Sequence, residues 1–314
     1  MPVNPQNGVS ALLEMLNVPR ERLLYVQASG DWIQRAGFGA AETLAALREW
    51  IGGRGTLVMP SYPFHSTHLE YLESGAVFDV RKTPAGIGLL AEMFRRTPGA
   101  VRSLDPDFCV TAFGAEAEAV AGGEPSAPDP FGPGSSYQRM LDRHATLVGL
   151  GVSLNTNSFM HVIDSRAQSG YPSPVYVDRT FAMTVTDGDG TSRAVARWGL
   201  RPQFQQDTAP SAINDEMKPS GRAFSTVEVN DARFFRWDLD EWSTWCLDHA
   251  RARAAAGAWP CWLSRLGSPI RRRPPFVPPS PCSAGRSTRR RTSPSTSAAR
   301  RRFSRVCPTT TSSC

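Results

Sequence analysis

Two side chains suited to proton transfer, His161 and Asp164, lie three residues apart in the segment TLVGLGVSLNTNSFMHVID at residues 146–164. An imidazole accepts and releases protons near neutral pH, and a neighbouring carboxylate can orient the ring or stabilise its charged form. Residues three apart share one face of a helix. The spacing therefore allows an acid–base pair, although a His with an Asp at this spacing also arises by chance on solvated helices.

The residues around this pair predict the elements that position it. The apolar run at residues 147–150 indicates a buried strand, and the glycines within and after it let the backbone turn or approach a ligand closely. Three side chains can accept bonds from the free amides at the start of the following helix: Asn155, Thr156 and Asn157. We therefore expect the pair on a helix at the end of a sheet strand.

The rest of the chain predicts an α/β fold with a largely parallel central sheet flanked by helices. Helices are expected near residues 11–18, 40–51 and 86–96, and strands at residues 23–28 and 56–60. In such sheets ligands bind beyond the carboxyl ends of the strands, where the loops after Val26, Met59 and Leu150 would converge. Residues 174–198 read as a β-hairpin with a turn at Asp187 to Gly190, within a smaller β-containing C-terminal part.

Several other chemistries lack their sequence signatures. The body has neither a dinucleotide-binding GxGxxG after a strand nor a phosphate-binding GxxxxGK[ST], and GPGSSYQRM lacks the GxSxG spacing of a serine hydrolase. His65 and His68 could pair on a metal, but exposed loop histidines are commoner than metal sites, so we predict no metal. Cys109 is expected to be a buried small hydrophobe rather than a nucleophile.

Five segments, taken in order, resemble the aminoglycoside 3-N-acetyltransferase family, also called the antibiotic N-acetyltransferases. The longest is TPAGIGLLAEMFRRTPGAVRSLDPDFCVTAFG at residues 83–114, which is similar to a family block of Thr-Pro, Ala-Glu-x-Phe and Pro-Gly-Ala-x-Arg-Ser. The others are LLYVQASGDW (23–32), GGRGTLVMPSY (52–62), FGPGSSYQRM (131–140) and the His161 segment. The resemblance covers residues 10–250.

Three departures from the family pattern fall near the expected chemistry. Gln27 and Ala28 stand where the family usually has His-Ser, Asp105 precedes a proline where a His-Pro pair is common, and Asp164 replaces a Glu. These changes affect the expected substrate more than the fold, because the family includes relatives that acylate other amines. They also leave open a catalytically degenerate homologue that acts as a binding or scaffold protein.

The resemblance implies acetyl transfer from acetyl-CoA to an amine of an aminoglycoside or amino sugar, with His161 as general base and Asp164 orienting it. The acetyl-CoA diphosphate and pantetheine arm would lie against two loops, at Ser29, Gly30 and Asp31 and at Thr83, Gly86 and Gly88. Ser29 and Thr83 could instead simply cap helices. The loops that carry Tyr62, His65, His68 and Asp105 resemble the family's amine-binding region, so these residues are candidate substrate contacts.

Charge is distributed very unevenly along the chain. The net charge is +6, but 14 of the 35 basic residues and none of the 29 acidic residues lie after residue 250. Residues 1–250 therefore carry 21 basic and 29 acidic residues. An acidic body attracts a cationic amine over long range and argues against a nucleic-acid enzyme.

We predict one acetyltransferase domain at residues 1–254 and a disordered Arg/Pro/Ser-rich tail at residues 255–314. The tail could be a basic arm for polyanions, a cysteine module or the product of a shifted reading frame. The last is favoured by the rarity of lysine, which supplies two of the 35 basic residues and indicates a GC-rich gene.

No signal peptide is visible and no run of about 18 apolar residues occurs, so a cytoplasmic protein without a membrane span is expected. The oligomeric state is left open, with a homodimer as one alternative.

Overall fold

A seven-stranded mixed sheet forms the centre of the computed structural model, which describes residues 8–126, 128–171, 173–217 and 223–266. Its strands are β1 (Leu23–Ala28), β2 (Thr56–Pro60), β4 (Val101–Arg102), β5 (Val110–Gly114), β6 (Thr146–Leu150), β9 (Phe224–Val229) and β10 (Ala232–Asp238). They lie in the order β4-β5-β2-β1-β6-β10-β9. A second sheet, in the order β3-β7-β8, contains β3 (Val77–Asp79), β7 (Tyr176–Thr186) and β8 (Ser192–Leu200).

The helices within the described residues connect and cover these strands. They are α1 (Gly8–Met15), α2 (Gly30–Arg35), α3 (Ala40–Ile51), α4 (His68–Glu73), α5 (Leu89–Arg95), α6 (Ala117–Ala121), α7 (Ser136–Leu141), α8 (Phe159–Ala167), α9 (Pro202–Gln206), α10 (Ala212–Met217) and α11 (Leu239–Ala255). No helix in the described ranges is both long enough and apolar enough to cross a membrane.

The predicted α/β fold with helices flanking a central sheet is confirmed. Strand β1 pairs in parallel with β2 on one side and with β6 on the other, whereas β5 and β10 add antiparallel strands outside this trio. Parallel pairing therefore holds at the centre and gives way to antiparallel pairing at the edges. The predicted hairpin is also present, because β7 and β8 pair antiparallel around the turn after Thr186.

Side chains of β1 alternate between two apolar layers, one on each face of the sheet. Leu24 and Val26 belong to a buried cluster that includes residues of α1 and α3. Leu23 and Tyr25 belong to a second cluster that includes residues of α8 and α11. Since α8 carries His161, Tyr25 and Gln27 face the layer that contains the predicted acid–base pair.

The folded body continues beyond the predicted domain end at residue 254. After α11 the chain turns, and Cys261, Trp262 and Leu263 are buried in the same cluster as α8 and α11. Residues 255–266 are therefore part of the body rather than of a separate tail. The prediction for the remainder of the tail, from residue 267, lies outside the described residues.

Candidate active site

The predicted pair, His161 and Asp164, lies on one face of α8. The Nδ1 atom of His161 is 3.6 Å from Oδ2 of Asp164, and both atoms are buried without a hydrogen-bond partner in the described structure. The Asp164 side chain is fully buried, whereas 14% of the His161 side chain is exposed. Since Nδ1 is covered, the exposed part of the ring is elsewhere, which leaves Nε2 as the nitrogen able to reach a substrate.

The loop before α8 differs in detail from the sequence-based prediction. Asn155 and Thr156 lie in a 3₁₀ turn at Leu154–Thr156 rather than capping α8. Ser158 is the N-cap residue of α8, and the Asn157 side-chain oxygen accepts a hydrogen bond from the Phe159 amide at 3.1 Å. Of the three predicted caps, only Asn157 therefore satisfies a free amide of this helix.

Tyr171, which follows α8, fixes the second oxygen of the Asp164 carboxylate. Its hydroxyl donates to Oδ1 of Asp164 at 3.0 Å. Burial, reinforced by the charge of Asp164, raises the pKa of Tyr171, so the hydroxyl keeps its proton and remains a donor. Oδ2 is thereby left to face His161. Sequence reasoning missed Tyr171 because no local pattern links it to the helix.

Aromatic rings surround the imidazole. The ring centres of Phe108 and Phe131 lie 5.9 and 5.3 Å from that of His161. Phe108 also lies 4.6 Å from the ring of His68, between the two histidines. Apolar walls of this kind exclude water and strengthen the electrostatic interaction between His161 and Asp164.

Gln27 links the end of β1 to the start of α8. Its amide nitrogen donates to the carbonyl oxygen of Thr156 at 2.7 Å and to Oγ of Ser158 at 3.1 Å. The hydroxyl of Tyr62 donates to the same Ser158 oxygen at 2.8 Å. Burial raises the pKa of Tyr62 well above its usual range, so this hydroxyl also stays protonated. Tyr62 is thus linked to the helix that carries His161.

Asp105, a predicted substrate contact, is part of a buried ionic network. Arg197 donates to Oδ1 of Asp105 at 2.7 Å and to Oδ1 of Asp107 at 3.0 Å, and His68 lies 3.0 Å from the other Asp107 oxygen. Nδ1 of His68 accepts the amide of Leu200 at 3.1 Å, which fixes a neutral tautomer whose Nε2 proton points at Asp107. Because Arg197 is on β8, this network connects the second sheet to the loops of the main sheet.

The pKa values of the two aspartates in this network are shifted in opposite directions. Burial raises the pKa of Asp105 to about 6, since the neighbouring charge of Asp107 adds to the effect and Arg197 only partly opposes it. Burial acts on Asp107 as well, but Arg197 and His68 outweigh it and hold the pKa of Asp107 well below its usual range. Both carboxylates are therefore largely ionised at neutral pH, and Asp105 is the one that takes up a proton as the pH falls through about 6. His65, another predicted substrate contact, is exposed on the loop before α4.

The two loops predicted to contact the cofactor lie at the carboxyl ends of the central strands. The Ser29 amide bonds the carbonyl of Leu150 at 3.0 Å, and the Gly86 amide bonds the carbonyl of Tyr62 at 2.7 Å. Ser29 makes no side-chain cap with α2, which begins with Gly30 and Asp31. Thr83 accepts a hydrogen bond from the amide of Asp79 at 2.8 Å through its hydroxyl.

The glycines of these loops differ in their surroundings. A Cβ atom added at Gly30 or Gly88 would meet nothing within 4 Å, so the backbone there is open to a ligand. At Gly86 the same atom would come within 3.0 Å of the backbone at residues 63–64, so this glycine permits a close approach of two chain segments.

Among the described residues, one group of potential metal ligands comes together: Glu216, His249 and Cys261. The amide of Cys261 donates to Nε2 of His249 at 3.2 Å, and Nδ1 lies 3.8 Å from Glu216. A metal on Nδ1 would place the ring proton on Nε2, opposite that amide proton. The hydrogen bond therefore favours a structural role for His249.

The fold and this site define an α/β protein with a partly exposed histidine, backed by a buried carboxylate, at the carboxyl edge of its central sheet. The family model for aminoglycoside 3-N-acetyltransferase matches residues 26–245. The chain belongs to this family.

Two curated relatives and three solved structures describe the similarity. Aminoglycoside N(3)-acetyltransferase VII of Streptomyces paromomycinus is 31% identical over 45% of this chain and 55% of its own length. Aminoglycoside N(3)-acetyltransferase III of a Salmonella species is 30% identical over 60% of this chain and 68% of its own length. The match thus spans about half of the first relative and two thirds of the second.

The solved structures share the fold at lower identity. Aminoglycoside acetyltransferase AAC(3)-Xa superimposes with a TM-score of 0.64 and 21% identity, over 79% of this chain and 92% of its own. AAC-IIIb, solved as a binary complex with CoASH, superimposes with a TM-score of 0.63 and 19% identity, over 78% of this chain and 95% of its own. AAC-VIa bound to sisomicin superimposes with a TM-score of 0.60 and 18% identity, over 81% of this chain and 99% of its own.

Proposed function

We propose that the protein is an N-acetyltransferase that transfers an acetyl group from acetyl-CoA to an amine of an aminoglycoside or amino sugar, with His161 as general base. The observation that carries the proposal is the position of Asp164, whose free oxygen faces Nδ1 of His161 at 3.6 Å. A carboxylate there favours the tautomer with the proton on Nδ1. Nε2 is then unprotonated and is the basic atom presented at the exposed edge of the ring.

Acetyl-CoA supplies a thioester in this reaction, so the amine nitrogen forms the new C–N bond as the C–S bond breaks. Nε2 of His161 takes the proton that the amine must lose, and the departing thiolate takes up a proton. Asp164 stabilises the imidazolium that forms in between, and Tyr171 keeps its carboxylate in place. The walls formed by Phe108 and Phe131 keep water from the proton being moved.

The identity of both substrates is supported by different observations. Relatives are named aminoglycoside N(3)-acetyltransferases, and related structures hold CoASH or sisomicin. The surplus of acidic residues before residue 251 suits an aminoglycoside, which carries several ammonium groups. The open backbone at Gly30 and Gly88 fits the predicted contact of these loops with acetyl-CoA. Ser29, Asp31 and Thr83 would complete that contact.

The test is the release of free CoA thiol from acetyl-CoA across a panel of aminoglycosides and amino sugars, with mass spectrometry of the amine. The proposal predicts amine-dependent thiol release and a product heavier by one acetyl group. Thermal stabilisation by acetyl-CoA, measured in parallel, reports binding of the folded protein independently of turnover. Acetyl-CoA binding with no thiol release from any amine of the panel would refute this substrate class.

The same experiment separates the second candidate function, a catalytically degenerate homologue that only binds. The observation that favours it is that Gln27, in the usual His position, uses its amide nitrogen in structural hydrogen bonds to Thr156 and Ser158. In that case an amine ligand would stabilise the protein without consuming acetyl-CoA. Thiol release above the rate without amine would exclude it.

A further inference from the structure

A broad, open pocket of about 880 Å³ lies beside the main sheet and is lined by basic side chains. Its walls are the loop after β3, the end of α5, strand β4, the end of α6 and the turn between β7 and β8. Five basic residues line it: Arg81, Lys82, Arg95, Arg96 and Arg102. Glu118 is the one acidic residue among its lining residues. We call this feature the basic pocket.

Part of this positive charge is already neutralised. Glu92 forms ion pairs with both Arg95, at 2.7 Å, and Arg96, at 2.6 Å, so one carboxylate serves two guanidinium groups. Bonds from these arginines lower the pKa of Glu92 to about 2, and it stays ionised. Asp79 lies 3.4 Å from the Lys82 ammonium. Two acids therefore face three of the five bases.

The other two bases, Arg81 and Arg102, have no carboxylate within 4 Å in the described part of the chain. Only 8% of Arg102 is exposed, and its side-chain hydrogen bonds to oxygen all go to neutral acceptors. The acceptors are the hydroxyl and carbonyl of Ser61 and the carbonyls of Val80 and Thr83.

Burying a guanidinium without a counter-ion costs desolvation free energy. An anion that binds beside it recovers part of that free energy by pairing with the cation. The four hydrogen bonds of Arg102 occupy four of its five N–H groups, and the Phe78 ring lies 4.7 Å from its central carbon. Arg102 nevertheless lines the pocket. The position of this cation is thus fixed before any ligand arrives.

We propose that the basic pocket binds phosphate esters. Several guanidinium groups and an ammonium converge on one concave surface, which suits a ligand with more than one negative charge, and guanidinium forks match phosphate oxygens. The small residues Ala100, Gly122, Gly123 and Gly188 leave room between the cations.

The pocket is linked to the candidate active site by hydrogen bonds through Arg102. Arg102 donates to the carbonyl of Ser61 at 2.6 Å, and Ser61 precedes Tyr62, which bonds to Ser158 at the start of α8. Arg102 also bonds the carbonyl of Thr83, a residue of the predicted cofactor loop. The phosphates of acetyl-CoA are therefore one source of the ligand, an assignment that rests on the proposed function. A separate phosphorylated compound is the other source.

The test is isothermal titration calorimetry of the full chain with adenosine 3′,5′-bisphosphate, which carries phosphate esters but no thioester. Arg81→Gln and Lys82→Gln alter exposed side chains, so folding should be preserved. Each should weaken binding on the order of fivefold at low ionic strength, and added salt should weaken the wild type more than either variant. Arg54→Gln, an equally exposed residue in the turn before β2, is the matched control and should bind as the wild type does.

Competition then distinguishes the two sources. Displacement of the probe by acetyl-CoA assigns the pocket to that substrate, whereas simultaneous binding assigns it to a separate phosphorylated ligand, and both results support a phosphate site. No binding of the probe, or equal binding by wild type and both pocket variants, overturns the proposal. Amine-dependent thiol release that persists in that case would leave the proposed function standing.

Discussion

The unequal ionisation of the buried pair Asp105 and Asp107 predicts how stability depends on pH. Asp105 is bonded to Arg197 and Ser126, and burial raises its pKa to about 6 in the folded protein. An unfolded aspartate titrates near pH 3.9, so between these values the folded protein binds a proton that the unfolded chain does not. Stability from this group therefore rises as the pH falls through about 6.

Asp105→Asn removes this titration while keeping a side-chain oxygen for Arg197. Relative to the variant, the wild type should gain about 2 kcal/mol in its free energy of unfolding between about pH 7.5 and about pH 4.5, because its pKa is shifted to about 6. Groups common to both proteins cancel in the difference.

The assay is urea unfolding of both proteins at several pH values across this range. Asp248→Asn, which removes an exposed carboxylate on α11, controls for the loss of a surface charge. A difference between wild type and Asp105→Asn that does not change with pH would contradict a raised pKa of Asp105, and so would a wild type that loses stability relative to the variant as the pH falls.

Three further predictions concern stability and catalysis. Arg197→Met should lower the free energy of unfolding by about 3–5 kcal/mol in the same urea assay, because it leaves two buried carboxylates without their cation. Arg179→Met, which removes an exposed ion pair from the same sheet, should lower it by under about 1 kcal/mol. Tyr171→Phe should lower kcat by about tenfold with little change in KM, because it removes the hydrogen bond that holds the Asp164 carboxylate behind the general base. It should also shift the pH profile of kcat. Tyr176→Phe, which removes a similar bond to a different aspartate, should not shift that profile. Gly149→Ala would make a Cβ overlap the ring of Phe235 on β10 and should lower the melting temperature by several degrees, as measured by calorimetry. An unchanged melting temperature would contradict this packing.

Local patterns predicted the elements that lie at the centre of the fold. The apolar segments at β1, β2 and β6 are continuous and fully or almost fully buried, so their composition alone identifies them as central strands. The pairing of the edge strands was not predictable in this way. β10 joins β6 from about 80 residues away in sequence, and an antiparallel neighbour leaves no mark on the pattern of β6 itself.

The candidate site shows the same division between local and distant information. His161 and Asp164 are near neighbours on one helix, so spacing brought them together. Asp105 was predicted as a loop residue that contacts the substrate, and its partner Arg197 comes from a strand of the second sheet. A single sequence gives no sign of that pairing, because it depends on how the two sheets pack.

The role of His161 as general base can be measured by thiol release from acetyl-CoA at a saturating amine concentration, with wild type compared with His161→Ala. If His161 takes the amine proton, the variant should lose at least about 100-fold in kcat and keep the thermal stabilisation by acetyl-CoA. A variant that releases thiol within about threefold of the wild-type rate would contradict the assignment of His161 as the base.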